Sequence, residues 1–299
     1  MEDNNFKFKI PKKKERLNAI GNIDKLPENS LKKILETGEN FHKPMYSQEE
    51  GDWLLYNDEE GQTFNQFLKE SKNIISKERN IIYINPLQDM PQEFLDNISL
   101  YCQSFFYPMQ VKLIKIVSLE ELNVKKRIHY KLQYHSGQIN SKMIKYIPKD
   151  AHCLISILLD DLYPGQSWNY VFGEALYKKR VGVFSFARFS ESFFDNNKPF
   201  SFDSYLLYNS CNTLTHEICH TFGIMHCIYY TCLMNGCNNL EEAKKQTLYE
   251  CPVCLRKLQY SIGFDPLERY KKLFEVTKKF GGNFENACEW YEKRINSIN

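Results

Sequence analysis

The stretch THEICHTFGIMHCIYYTCLMNGCNNLEEAKKQTLYECPVC, residues 215–254, contains His216-Glu217-x-x-His220-x-x-Gly223-x-x-His226. In an α-helix residues four apart stand one above the other, so His216 and His220 can offer two imidazole nitrogens to one metal ion. Glu217 sits beside them and can reach an open coordination position without being a ligand, which is the place for a general base. Gly223 has no Cβ and lets the chain leave the helix in a left-handed or strained conformation, returning His226 as a third ligand. Three imidazoles with one open position make the donor set of a catalytic zinc site.

Directly behind His226 come Cys227-x4-Cys232 and, further on, Cys251-x2-Cys254. Two such pairs of thiolates make a closed tetrahedral site, usually structural. Buried free thiols are the competing reading, and Cys237 lies near enough to replace one ligand. Met234-Asn235-Gly236 reads as a tight turn carrying a buried methionine.

Taken together, His216, Glu217, His220, Gly223, His226, Cys227, Cys232, Met234, Cys251 and Cys254, with the following Lys257-Leu258, resemble the signature of the archaemetzincins, a branch of the metzincin clan of zinc metallopeptidases set apart by its four-cysteine motif. The likeness continues upstream through Leu162-Tyr163-Pro164, Trp168-Asn169, Val171-Phe172-Gly173 and the run from Val181 to Arg188, and downstream to Arg269-Tyr270. It covers the middle and C-terminal two thirds of the chain and is weak over the first hundred residues. The resemblance implies two zinc ions, one catalytic on His216, His220 and His226 with Glu217 as base, and one structural on Cys227, Cys232, Cys251 and Cys254. It also implies Met234 as a methionine turn beneath the first metal, and an α/β (α+β) metzincin-like zincin fold with a twisted mixed sheet over the active-site helix. Cys219 stands where a glycine is usual in that helix and adds an oxidisable thiol beside the site.

The bulk properties fit an enzyme of this kind. The 299 residues include 42% hydrophobic side chains, ample for a packed core. The 39 basic and 37 acidic side chains leave a net charge of +2, so no global field draws in nucleic acid or an acidic membrane. No apolar run approaches the ~18 residues of a membrane span. The start, MEDNNFKFKIPKKKER, has no apolar h-region. Reduced thiols and an intracellular protein are expected, cytoplasmic first and nuclear second, with Lys12-Lys13-Lys14 read as a solvated basic arm.

Two regions are predicted, 1–105 as an N-terminal helical region and 106–299 as the catalytic domain with C-terminal helices. Residues 1–50 are charged and show no clear periodicity. Apolar spacing predicts helices over 63–77 and 91–105. Strands are predicted over 110–117, 128–134, 153–159 and 181–188, and a helix over 138–147 that Pro148 ends. The resemblance assigns the edge strand above the cleft to 170–176. The active-site helix should begin near Asp203 or Ser204, with Leu207, Cys211, Leu214 and Ile218 facing the core and Thr213, His216 and His220 on another side. Helices over 265–280 and 286–295 close the chain, separated by Gly281-Gly282.

The expected activity is hydrolysis of peptide bonds in peptide or protein substrates by zinc-activated water, with Glu217 as general base. The alternative is a catalytically inactive two-zinc protein-binding module, which would keep every ligand but has no use for Glu217 at an open coordination position.

Overall fold

The β-branched and aromatic runs in the middle of the chain build the sheet that positions everything else. The structure, a computed structural model, describes residues 8–27, 29–70 and 73–298. Among them a five-stranded sheet is formed by β1 (Ile81–Pro86), β2 (Gln110–Leu113), β5 (Ala151–Leu158), β7 (Gly173–Leu176) and β8 (Val181–Ser185). Their order across the sheet is β2-β1-β5-β8-β7. All neighbours are parallel except β7, which runs antiparallel to β8 from Gly173↔Phe184 to Leu176↔Val181 and forms one edge. A smaller sheet joins β3 (Lys126–His129), β4 (Lys131–His135) and β6 (Asp161–Tyr163).

Every residue of β5 and β8 is buried, as a central strand covered on both faces requires. Side chains alternate between faces with period two. Ile82, Ile84, Cys153, Ile155, Ile157 and Phe184 point into the large core beneath the sheet. Ile81, Tyr83, Leu154, Leu158, Val181 and Val183 point the other way, onto Ile139 and Met143 of the helix Ser136–Met143. The long helix Ser204–Thr221 packs under β7 and β8 and against the helix Gln92–Phe105. Its start is fixed by Asp203, whose carboxylate accepts the Leu206 N–H at 2.8 Å.

Several elements differ from the sequence reading. β1, hidden in the region read as helical, is the strand that pairs with both β2 and β5. The single strand expected over 128–134 is a hairpin, because Tyr130 takes a left-handed conformation with φ of 64° and turns β3 back as β4. The helix expected over 63–77 is found from Phe64 to Glu70. Residues 71–72 of that expectation and residues 1–7 of the polar start lie outside those described.

Residues 1–50, which showed no periodicity, hold the helices Lys13–Ile20 and Ser30–Glu36. Their Ala19, Ile20, Leu31, Ile34 and Leu35 belong to the same core as Val253, Leu255 and Leu258 of the helix Pro252–Ile262. Buried polar ties reinforce the contact: Arg256 donates to the carbonyls of Ile20 and Asn22, and Lys257 Nζ donates to that of Gln62. Among the described residues no helix is long and apolar enough to cross a membrane.

Candidate metal centre

The helix Ser204–Thr221 sorts its faces as its spacing dictates. Leu207, Cys211, Leu214 and Ile218 are buried in the core, while Thr213, His216, Glu217 and His220 line a cleft of about 450 Å³ under β7. Gly223 follows the helix with φ of 85°, the left-handed turn that brings His226 back to the same cleft. One nitrogen from each of His216, His220 and His226 lies within 4.8 Å of the other two.

The outward ring nitrogens are all engaged. His216 Nδ1 lies 2.8 Å from the Leu233 carbonyl, His220 Nδ1 2.6 Å from the Ile224 carbonyl, and His226 Nδ1 2.7 Å from a Glu59 carboxylate oxygen. Carbonyl oxygens only accept, so the first two rings carry their hydrogens on Nδ1 and present bare Nε2 lone pairs. Burial pushes the His216 imidazole down to about 3 and His220 well below its ordinary value, so both are neutral near pH 7. Their Nε2 atoms nevertheless face each other at 3.1 Å. Two lone pairs so placed repel unless a cation lies between them, and a tetrahedral zinc with bonds of ~2.0–2.1 Å separates its nitrogen ligands by about 3.3 Å. The donor set fits zinc.

Glu217 keeps a partly exposed edge at the cleft, but its carboxyl sits deep enough that burial pushes it up to about 7, with Glu174 on β7 adding to the rise and His226 opposing it. A carboxylate poised near neutrality can take up and release a proton at working pH.

The second cluster gathers Cys227, Cys232, Cys251 and Cys254, all buried and with one sulfur each inside the same 4.8 Å limit. Cys227 Sγ and Cys251 Sγ are 3.6 Å apart. That is far beyond a disulfide of ~2.05 Å and close to the edge of ~3.8 Å in a tetrahedron of 2.3 Å zinc–sulfur bonds. The N–H groups of Met234 and Cys251 point at Cys232 Sγ, at 3.4 and 3.2 Å, as donors to a thiolate do. Cys237 is not in this cluster; it lines the cleft. Cys219 is fully buried in the core, where burial raises its thiol well above the ordinary value, so the oxidisable thiol expected beside the site is shielded and unreactive.

Met234 is fully buried, and its carbonyl accepts the Cys227 N–H at 2.7 Å. The adjoining Asn235 fastens the loop: its amide donates to the carbonyls of Cys227 and Tyr230 and accepts the Cys232 N–H, at 2.7, 2.9 and 2.7 Å.

Sequence reasoning missed the residues that the N-terminal region adds. Trp53 lines the cleft with its ring 5.2 Å from that of His226 and edge-on to it. Its Nε1–H donates to Glu59 at 2.7 Å, the same carboxylate oxygen that His226 meets. Gln62 donates to the Gly223 carbonyl at 3.1 Å and accepts the Met225 N–H at 3.2 Å, holding the turn that carries His226. No motif announces these side chains; the only sequence signal is an acidic run, Asp58-Glu59-Glu60, beside a tryptophan.

The chain is similar to known proteins along most of its length. Residues 97–260 match peptidase family M54, a span that begins beyond Trp53, Glu59 and Gln62. Archaemetzincin-2 of Rattus norvegicus is 33% identical over 296 residues, covering 88% of this chain and 82% of its own length. Archaemetzincin-2 of Homo sapiens is 34% identical over 275 residues, covering 81% of this chain and 76% of its own length. A zinc-dependent peptidase from Methanocorpusculum labreanum (strain Z) shares the fold with a TM-score of 0.50 at 22% identity, over 59% of this chain and 99% of that one.

Proposed function

The chain belongs to the archaemetzincins of peptidase family M54 and is a zinc metallopeptidase, and from that premise we propose that it cleaves peptide or protein substrates with one zinc on His216, His220 and His226, a second on Cys227, Cys232, Cys251 and Cys254, and Glu217 as general base. The observation that carries this reading is the convergence of three imidazole nitrogens beside a carboxyl held near neutrality, in a cleft open to solvent.

His216, His220 and His226 would hold the zinc, which would supply a Lewis acid for the scissile carbonyl and for water. The Glu217 carboxylate takes the proton of the attacking water and, as the carbon–nitrogen bond breaks, hands it to the leaving amine. β7 positions the substrate. Its outer side has no partner strand among the described residues, and Gly173, Glu174 and Ala175 line the cleft, so an extended peptide can add to the sheet there through its backbone. The sulfur cluster is closed and buried, so its zinc would meet no substrate and would serve to hold the loop in place.

The test is Glu217→Gln in the zinc-loaded protein. Two zinc ions per chain should remain while peptide hydrolysis falls about 10²- to 10⁴-fold; equal hydrolysis by wild type and variant would assign the base to another residue.

A further inference from the structure

We infer that Glu59, supplied by the N-terminal region, is a positioning residue for His226 and sets the zinc affinity of the imidazole site. The inference rests on the zinc reading above and adds to it a group that lies ahead of the span matching the family.

The three histidines are not oriented alike. His216 and His220 each lean on a carbonyl of the loop that follows their own helix, whereas His226 leans on a carboxylate 167 residues upstream. A carboxylate accepting from Nδ1 fixes the hydrogen there, leaves Nε2 bare and raises its basicity. His226 most needs such help, because it stands on the turn after Gly223 and not on the helix. Its ring lies partly exposed, the side chain showing 22% of its surface, with 21% for Glu59.

Glu59 is itself held in place. Trp53 Nε1–H donates to the oxygen that His226 meets. The Trp53 backbone N–H in turn donates to both oxygens of the buried Glu242, at 2.9 and 3.0 Å, and Glu242 also accepts the Asn238 N–H at 2.7 Å. Gly236 packs so closely that a Cβ there would come within 2.6 Å of the indole. Residues 52–62 therefore clasp the third histidine at two points, through Glu59 on the ring and through Gln62 on the turn beneath it.

The experiment is chelator competition on the full-length, zinc-loaded protein, read as zinc content per site, with cobalt(II) exchanged into the imidazole site as a spectroscopic probe. Glu59→Gln should lose the imidazole-site zinc at a chelator strength about 10- to 100-fold lower than wild type. Its visible cobalt bands should shift, while the sulfur-site zinc and the melting temperature of the metal-free protein stay unchanged. Glu60→Gln removes the same charge from an exposed neighbour and should behave as wild type. Trp53→Phe keeps a ring against His226 and deletes only the N–H, so it should give an intermediate loss. Zinc retention within twofold of wild type and unmoved cobalt bands in Glu59→Gln would overturn the inference. If that variant fails to fold, Trp53→Phe decides the matter, wild-type affinity counting against and an intermediate loss in favour. A wild-type protein that holds no zinc on its histidines would instead defeat the reading of the preceding subsection.

Discussion

His226 and Cys227 share a peptide bond yet face opposite compartments, the imidazole lining the cleft and the thiol sealed within the sulfur cluster. The loop between them and Asn235 serves both sites. It carries Cys232, and its Leu233 carbonyl meets His216 Nδ1. A change in the sulfur cluster therefore reaches the imidazoles through a few covalent bonds and one hydrogen bond.

Replacement of Cys232 by Ser should remove one zinc per chain and lower the melting temperature on the order of 10 °C, since a structural zinc contributes several kcal/mol and each kcal/mol is worth ~2–4 °C in a chain of this size. Hydrolysis should fall as well, although no imidazole has been altered. Metal analysis and calorimetry on the same preparation check both.

The pH profile should report Glu217. The proposed base works only when deprotonated, and burial pushes its carboxyl up to about 7. The value of kcat/KM should therefore fall as pH drops, through a one-proton step at or below about 7, because a bound cation pulls the carboxyl down. Glu217→Gln should lower kcat about 10²- to 10⁴-fold and flatten that limb.

A buried ion pair links the sulfur loop to the C-terminal helices. Arg269 and Glu250, the residue before Cys251, meet at 2.7 Å with side chains 0% and 1% exposed. Glu250→Leu leaves a guanidinium without a counter-charge and should cost about 3–5 kcal/mol. Adding Arg269→Met should recover most of that loss, which denaturant melts of the single and double variants would measure.

Acid sensitivity should trace partly to His42. Its ring is enclosed by Tyr230, Tyr249 and Trp290, its Nδ1 has no partner among the described residues, and burial pushes it from 6.5 down to about 3. Above pH 6.5 both folded and unfolded forms hold it neutral, and its contribution to stability is complete. As pH falls from 6.5 towards 3 the unfolded chain takes up the proton first, so stability drains away across that window. His42→Phe should reduce the drop in denaturant midpoint between pH 7 and pH 4.5.

What the sequence made legible follows the range of each signal. The imidazole pattern and the two cysteine pairs are local, set by helix pitch and a single turn, and their side chains converge as their spacing implies. The core stripe of the long helix was legible for the same reason. β1 was not, because Ile81-Ile82-Tyr83-Ile84 is a short continuous apolar run with no alternation, and nothing in four residues separates strand from helix. Glu59 and Trp53 were illegible for a deeper reason: their partner lies more than 160 residues away, and a carboxylate in an acidic run carries no mark of the ring it will meet.

β7 is only four residues long, and its outer edge, without a partner strand among the described residues, lies along the wall of the cleft. Such a ledge can grip a guest only by main-chain groups that the guest has not already committed to its own helices or sheets. Compact proteins should thus pass through untouched, whereas tails, unfolded stretches and short oligopeptides have the idle backbone to dock. Selection at this mouth would then act on conformation before it acts on side-chain identity.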